Sequence, residues 1–125
     1  MPLPSGLHGS AKLVVTDADT AIALHSGEVP VLGTPRLIAL CEEAALVAVA
    51  GHLAKGETTV GMRVQIDHLA PTHVGSSVAA EATLERVEGR RLTFTVSVSD
   101  HCGLVAAGKV TRVVVATEQF LQKAR

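Results

Sequence analysis

At 125 residues, with 47% hydrophobic and 18% charged side chains, the chain has the material for one domain, residues 1 to 125, around a single core. A formal net charge of −1 offers no basic field to a nucleic-acid backbone, and two aromatic residues, Phe94 and Phe120, leave little to stack on bases. No apolar run approaches the ~20 residues of a membrane span, and MPLPSGLHGSAK lacks the hydrophobic segment of a secretory signal, so no membrane partner and a cytoplasmic location are expected. Cys41 and Cys102 are far apart in sequence and are read as reduced thiols.

Residues 1 to 10, with two prolines and two glycines, read as a loose lead-in. KLVVT, residues 12 to 16, is short and β-branched and predicts a strand. Thr16 or Asp17 is placed to cap a short helix that ends near Ser26 and Gly27, and EVPVLG is a loop. The stretch from Thr34 to Gly56 predicts the long central helix. Thr34 offers an N-cap hydroxyl, Pro35 suits the first helical position, and Gly56 can close the far end. At 100° per residue, Ile38, Ala45, Leu46, Val49 and Leu53 fall on one face, with Glu42 in its middle and Glu43 pointing away.

After Gly56 the period changes to two. Val60, Met62, Val64, Ile66 and His68 are expected on one face of a strand. A mixed strand, SVAAEATLERVE, then turns at Glu88-Gly89-Arg90 into RLTFTVSVS, and a second turn at Asp100 to Gly103 leads into LVAAGKVTRVVV. Thr117 can cap a short terminal helix. One long helix packed on a five-stranded antiparallel sheet is an α+β arrangement, the hot-dog topology. Apolar residues of both parities near the end, Val110 and Val114 beside Val113 and Val115, call for a covering partner, and a homodimer is expected.

Glu42 and His68 are the polar members of otherwise apolar faces. An unpaired carboxylate at a core position costs several kcal/mol, to order of magnitude, so a partner is required. A carboxylate and an imidazole converging on one interface suit acid/base chemistry, with satisfied core polar residues as the plainer alternative for each alone. Thr34 and the free N–H groups of the helix start form a third element suited to developing negative charge. The other histidines lack HExxH or CxxC spacing, so no metal site is expected, and GxSxG, GxGxxG and P-loop patterns are missing from the sequence. Arg90 and Arg91 could hold phosphates, but a solvated hairpin tip is the better reading of them.

GETTVGMRVQIDHLAPTHVGSSV, followed by VEGRRLTFTVSVSD, resembles the hot-dog thioesterases of the fluoroacetyl-CoA thioesterase family, a likeness extending from about Val31 to Val115. The resemblance implies hydrolysis of a short acyl-CoA with Thr34, Glu42 and His68 as catalytic residues. Gly61 would supply an oxyanion N–H, and Gly33 would belong to the substrate-binding positions. It implies no cofactor, coenzyme A being part of the substrate, and active sites at or near a homodimer interface. The fluoroacetyl-specific member has phenylalanines ahead of the catalytic threonine; here Leu24 to Gly33 has none, and the lid positions fall near His25 and Glu28. The rival readings are a non-catalytic acyl-CoA or acyl-carrier-protein binding module and a hot-dog dehydratase.

Overall fold

The computed structural model describes residues 3–125. In chain order it has β1 (His8–Val14), a single 3₁₀ turn at Asp17–Asp19, α1 (Thr34–Val49), β2 (Glu57–His68), β3 (Ser77–Glu88), β4 (Arg91–Asp100), β5 (Gly103–Ala116) and α2 (Thr117–Gln122). The five strands form one antiparallel sheet in the order β1-β3-β4-β5-β2, with α1 packed mainly across β1 and β3. The core lies between helix and sheet. The clean alternation of β4 sends Leu92, Phe94, Val96 and Val98 into it and leaves Thr95 and Ser99 outside.

Four sequence expectations are corrected. The lead-in is a strand from His8 onward, paired with β3. It was hidden because its second residue is Gly9, which is there for a packing reason: a Cβ at Gly9 would collide with the backbone of Ala44 and Ala48, so α1 can lie on β1 only where the strand has no side chain. The helix ends at Val49, before the expected Gly56. Gly51 takes a left-handed φ of 80° just past the cap residue Ala50, and Gly56, also left-handed, serves the turn into β2 instead. The expected helix after Asp17 is only the 3₁₀ turn and a run of turns to Ser26.

The fourth correction is the rotation of α1. Its buried residues are Leu37, Leu40, Cys41, Ala44, Ala45, Ala48 and Val49, a face turned by about one residue from the expected one. A helix apolar on most sides gives periodicity little purchase on which side is inward. The Ile38, Glu42, Leu46 row therefore lies off the buried face, with Glu42 over Gly61 of β2, one of the two edge strands, and Leu46 is 40% exposed. Glu43 lies on the outside, where it pairs with Arg36 at 3.2 Å.

Candidate active site

The site is built on α1 and β2, and a bulge in β2 decides its geometry. The β2–β5 register shifts between Gly61 and Arg63, placing Met62 as the extra residue. A strict period of two would put Gly61 and His68 on opposite faces. With the bulge between them, both face the helix: a Cβ at Gly61 would stand 2.5 Å from Glu42 Oε2, and His68 reaches Thr34. The expected common face from Val60 to His68 is thus broken at Met62.

At the N-terminal end of α1, Thr34 Oγ1 and His68 Nδ1 are hydrogen-bonded at 2.8 Å. The N-cap is Gly33, not Thr34, and the Thr34 hydroxyl caps nothing; the histidine takes it instead. The loop before the helix is clamped so that this meeting occurs. Gly33 N–H donates to Asp19 O at 2.9 Å, Ala21 N–H to Val31 O at 2.9 Å, and Leu32 N–H to Thr72 O at 2.9 Å in the segment after β2. Gly33 packs tightly on Ala21 and its amide is already engaged, so it shapes the loop rather than offering a donor. His68 Nε2 is buried and has no hydrogen-bond partner among the described residues. Burial draws the His68 pKa below the ordinary imidazole value of 6.5, with the backbone of Ala70 opposing the shift, so the ring is neutral at pH 7.

Midway along α1 is a charged assembly. Glu42 Oε2 accepts a 2.8 Å hydrogen bond from Arg112 Nη1 on β5. Arg112 is only 6% exposed, and its other donors are fixed as well: Nε to Thr59 Oγ1 and Nη2 to Thr59 O, each at 2.9 Å. Burial lowers the pKa of its guanidinium and Glu42 works to raise it. Arg112 was missed from the sequence, where a signal was present: it is the lone charge in VTRVVV and shares parity with the buried Val110 and Val114. Its three-fold anchoring fixes Glu42 Oε2 above the bare backbone of Gly61 and leaves Oε1 without a hydrogen bond among the described residues.

Within one chain the expected meeting of Glu42 with His68 does not occur. Thr34 and Glu42 are separated by about 12 Å of helix rise, and Gly61 and His68 by roughly 23 Å of strand. Two half-sites result. Among the described residues one group of three potential metal ligands clusters, Asp100, His101 and Cys102 on the exposed β4–β5 turn, where Asp100 Oδ1 already accepts from Cys102 and Gly103 N–H. A hollow of about 330 Å³ beside Thr34 and His68 is lined by Ala21, Val29, Val31 and Leu32.

Residues 15–118 match the family described as fluoroacetyl-CoA-specific thioesterase. The chain belongs to that family. The fluoroacetyl-CoA thioesterase of Streptantibioticus cattleyicolor is 36% identical over 95 residues, which are 76% of this chain and 68% of the relative. A structure of the fluoroacetyl-CoA thioesterase with fluoroacetate aligns with TM-score 0.90 at 29% identity over 97% of this chain and 96% of that one. A thioesterase superfamily member from Thermus thermophilus aligns with TM-score 0.88 at 26% identity over 97% and 90%. The fold is the hot-dog fold, and the protein is a thioester hydrolase. No helix of the described residues is long and apolar enough to cross a membrane.

Proposed function

We propose that this thioesterase hydrolyses short-chain acyl-CoA to the free acid and CoA, with Glu42, His68 and Thr34 as its catalytic residues and no metal or redox cofactor. The observation that carries the reading is the Glu42 carboxylate, held by buried Arg112 above a strand position without a side chain. A thioester carbonyl lying over Gly61 would find a backbone N–H for its developing oxyanion and the free oxygen of Glu42 at its carbon. Glu42 then acts as nucleophile, CoA leaving as thiolate and His68 Nε2 taking the proton of the water that cleaves the acyl-Glu42 anhydride, or as base, the water's proton passing from Glu42 through His68 Nε2 to the departing thiolate. Thr34 holds the ring from its Nδ1 side.

A homodimer completes this arrangement. β2 is a 12-residue edge strand with exposed Met62 and Val64, and Leu46 and Val47 of α1 are also exposed. An unpaired apolar edge of this length invites a second strand. Two β2 edges paired antiparallel about a two-fold axis through Gln65, with Met62 again the extra residue, lay Gly61 of one copy opposite His68 of the other, both on the helix side. Each site then takes Glu42, Gly61 and Arg112 from one copy, and Thr34 and His68 from the second. The acyl group enters the hollow beside Thr34, whose walls are aliphatic and whose Val29 is 55% exposed. His25 and Glu28 are exposed and form no dry cover, so fluoroacetyl-CoA is not strongly favoured over acetyl-CoA. We place the enzyme in the cytoplasm, where acyl-CoA is found.

The test is release of free CoA from a panel of acyl-CoAs, read beside dehydration of 3-hydroxyacyl-CoA. Free thiol without enoyl product is expected, with a fluoroacetyl-to-acetyl kcat/KM ratio below about 10³. No turnover of any acyl-CoA would leave a binding module, and enoyl product would make it a dehydratase.

A further inference from the structure

The sheet's outer face, opposite the helix, carries an ordered array of polar groups that the hydrolytic site does not use. Reading the register across four strands gives one row: Arg86 on β3 faces Thr93 on β4, Thr93 faces Thr111 on β5, and Thr111 faces Arg63 on β2. With strands ~4.8 Å apart, the two arginines stand roughly 14 Å from each other with two hydroxyls between them. Two bulges flank this row, one at Met62 in β2 and one at Glu85 in β3. Each adds local twist and bends its strand, and the row forms the floor of a groove of about 270 Å³.

The groove's charge is unbalanced. Arg63, Arg86, Arg91 and Lys109 line it, against Glu85 and Glu88. Glu85 is taken by Lys109 at 3.3 Å and by the Thr95 hydroxyl at 2.7 Å, and Glu88 lies 3.7 Å from Arg86. Among the described residues, Arg63 and Arg91 have no carboxylate within ion-pair distance, and the hydroxyls of Thr93 and Thr111 make no side-chain hydrogen bond. Two uncommitted guanidinium forks over two uncommitted hydroxyls suit a phosphate ester or pyrophosphate.

We propose that this groove binds the phosphorylated nucleotide end of the CoA thioester, an assignment of ligand that rests on the acyl-CoA reading above. Met62 lines the groove and is the immediate neighbour of Gly61, so the two faces of one bulge would serve the two ends of one substrate. In the dimer described above the paired part of β2 stops at Gly61. Beyond it, from Glu57 to Val60, the edge is open, and the flexible arm of the thioester rounds the strand there.

Adenosine 3′,5′-bisphosphate is the probe, titrated calorimetrically into the full chain and into Arg63→Ala, Arg91→Ala and the double variant. Hydrolysis of acetyl-CoA and acetyl-pantetheine is followed beside it. Both arginines are exposed, so the variants should fold, which circular dichroism checks. The expected result is probe binding weakened about tenfold or more in the double variant, and the ratio of KM for acetyl-CoA to KM for acetyl-pantetheine raised by a similar factor. Weakened probe binding with an unchanged KM ratio would overturn the substrate assignment and leave a site for a free nucleotide. Binding and KM ratio both unchanged would overturn the groove as a phosphate site. If no thioester is cleaved by any form, the acyl-CoA reading fails, and probe binding alone still decides whether the groove takes phosphates.

Discussion

The first turn of α1 and its midpoint hold polar groups by different means. At the first turn, Thr34 and His68 form one neutral hydrogen bond at the rim of a small hollow, and the ring keeps one nitrogen free. At the midpoint, Arg112 holds the Glu42 carboxylate with a charged guanidinium that is itself bonded twice to Thr59. The charged group is rigid because removing either partner strands the other; the neutral one is free to gain and lose a proton. A carboxylate aimed from a fixed position and an imidazole able to titrate are the complementary needs of acid/base chemistry. The two lie at different heights along the helix, so a second copy is what brings them together in this account.

Removing the function of either half should cost most. Glu42→Gln keeps volume and hydrogen-bonding reach to Arg112 while removing the base or nucleophile, and kcat should fall by roughly 10²-fold or more. His68→Ala should fall by a similar factor. If either variant retained near-normal turnover in a steady-state thiol-release assay, that half would not be chemical. Gly61→Ala should come next, at about tenfold or more in kcat. Its new Cβ would stand 2.5 Å from Glu42 Oε2, so the carboxylate must move while the strand stays paired. An unperturbed kcat there would mean that Glu42 does not act from its position above Gly61.

The legible part of this comparison was chemical identity. Thr34, Glu42 and His68 stand out in the sequence because each is polar at a place where its neighbours are not, and Pro35 marks the helix start correctly to within a residue. Their grouping was not legible. α1 is apolar over too much of its circumference for periodicity to fix its rotation, and the Met62 bulge, which moves Gly61 onto the face of His68, depends on strand register that only the folded sheet defines. Gly9 and Arg112 share a different difficulty: each makes sense only through a partner distant in sequence, Ala44 and Ala48 for one, Thr59 and Glu42 for the other.

A smaller effect separates the halves by pH. The folded His68 holds its proton less tightly than free imidazole, so the acid limb of kcat/KM should be centred below pH 6.5. The same shift has a sign for stability. An unfolded chain takes up this proton as pH falls through 6.5, before the folded one does, so the ring's contribution is complete above 6.5 and is lost progressively below it. In His68→Ala this part of the decline in urea midpoint should disappear; an identical decline would assign it to other groups. The smallest effect belongs to Glu43→Gln. Its partner Arg36 lies on the outer side of α1 and keeps Asp19 at 3.4 Å, so activity should change less than about twofold.

The most direct test of the two-copy site is to mix Glu42→Gln and His68→Ala chains. Each variant alone is nearly inactive on this account. After random exchange half of the dimers are mixed, and in each of these one site carries both substitutions and the other carries neither. Activity should therefore recover to about one quarter of the unsubstituted enzyme. Formation of mixed dimers without any recovery would contradict the account, because it would place Glu42 and His68 of the same chain in one site.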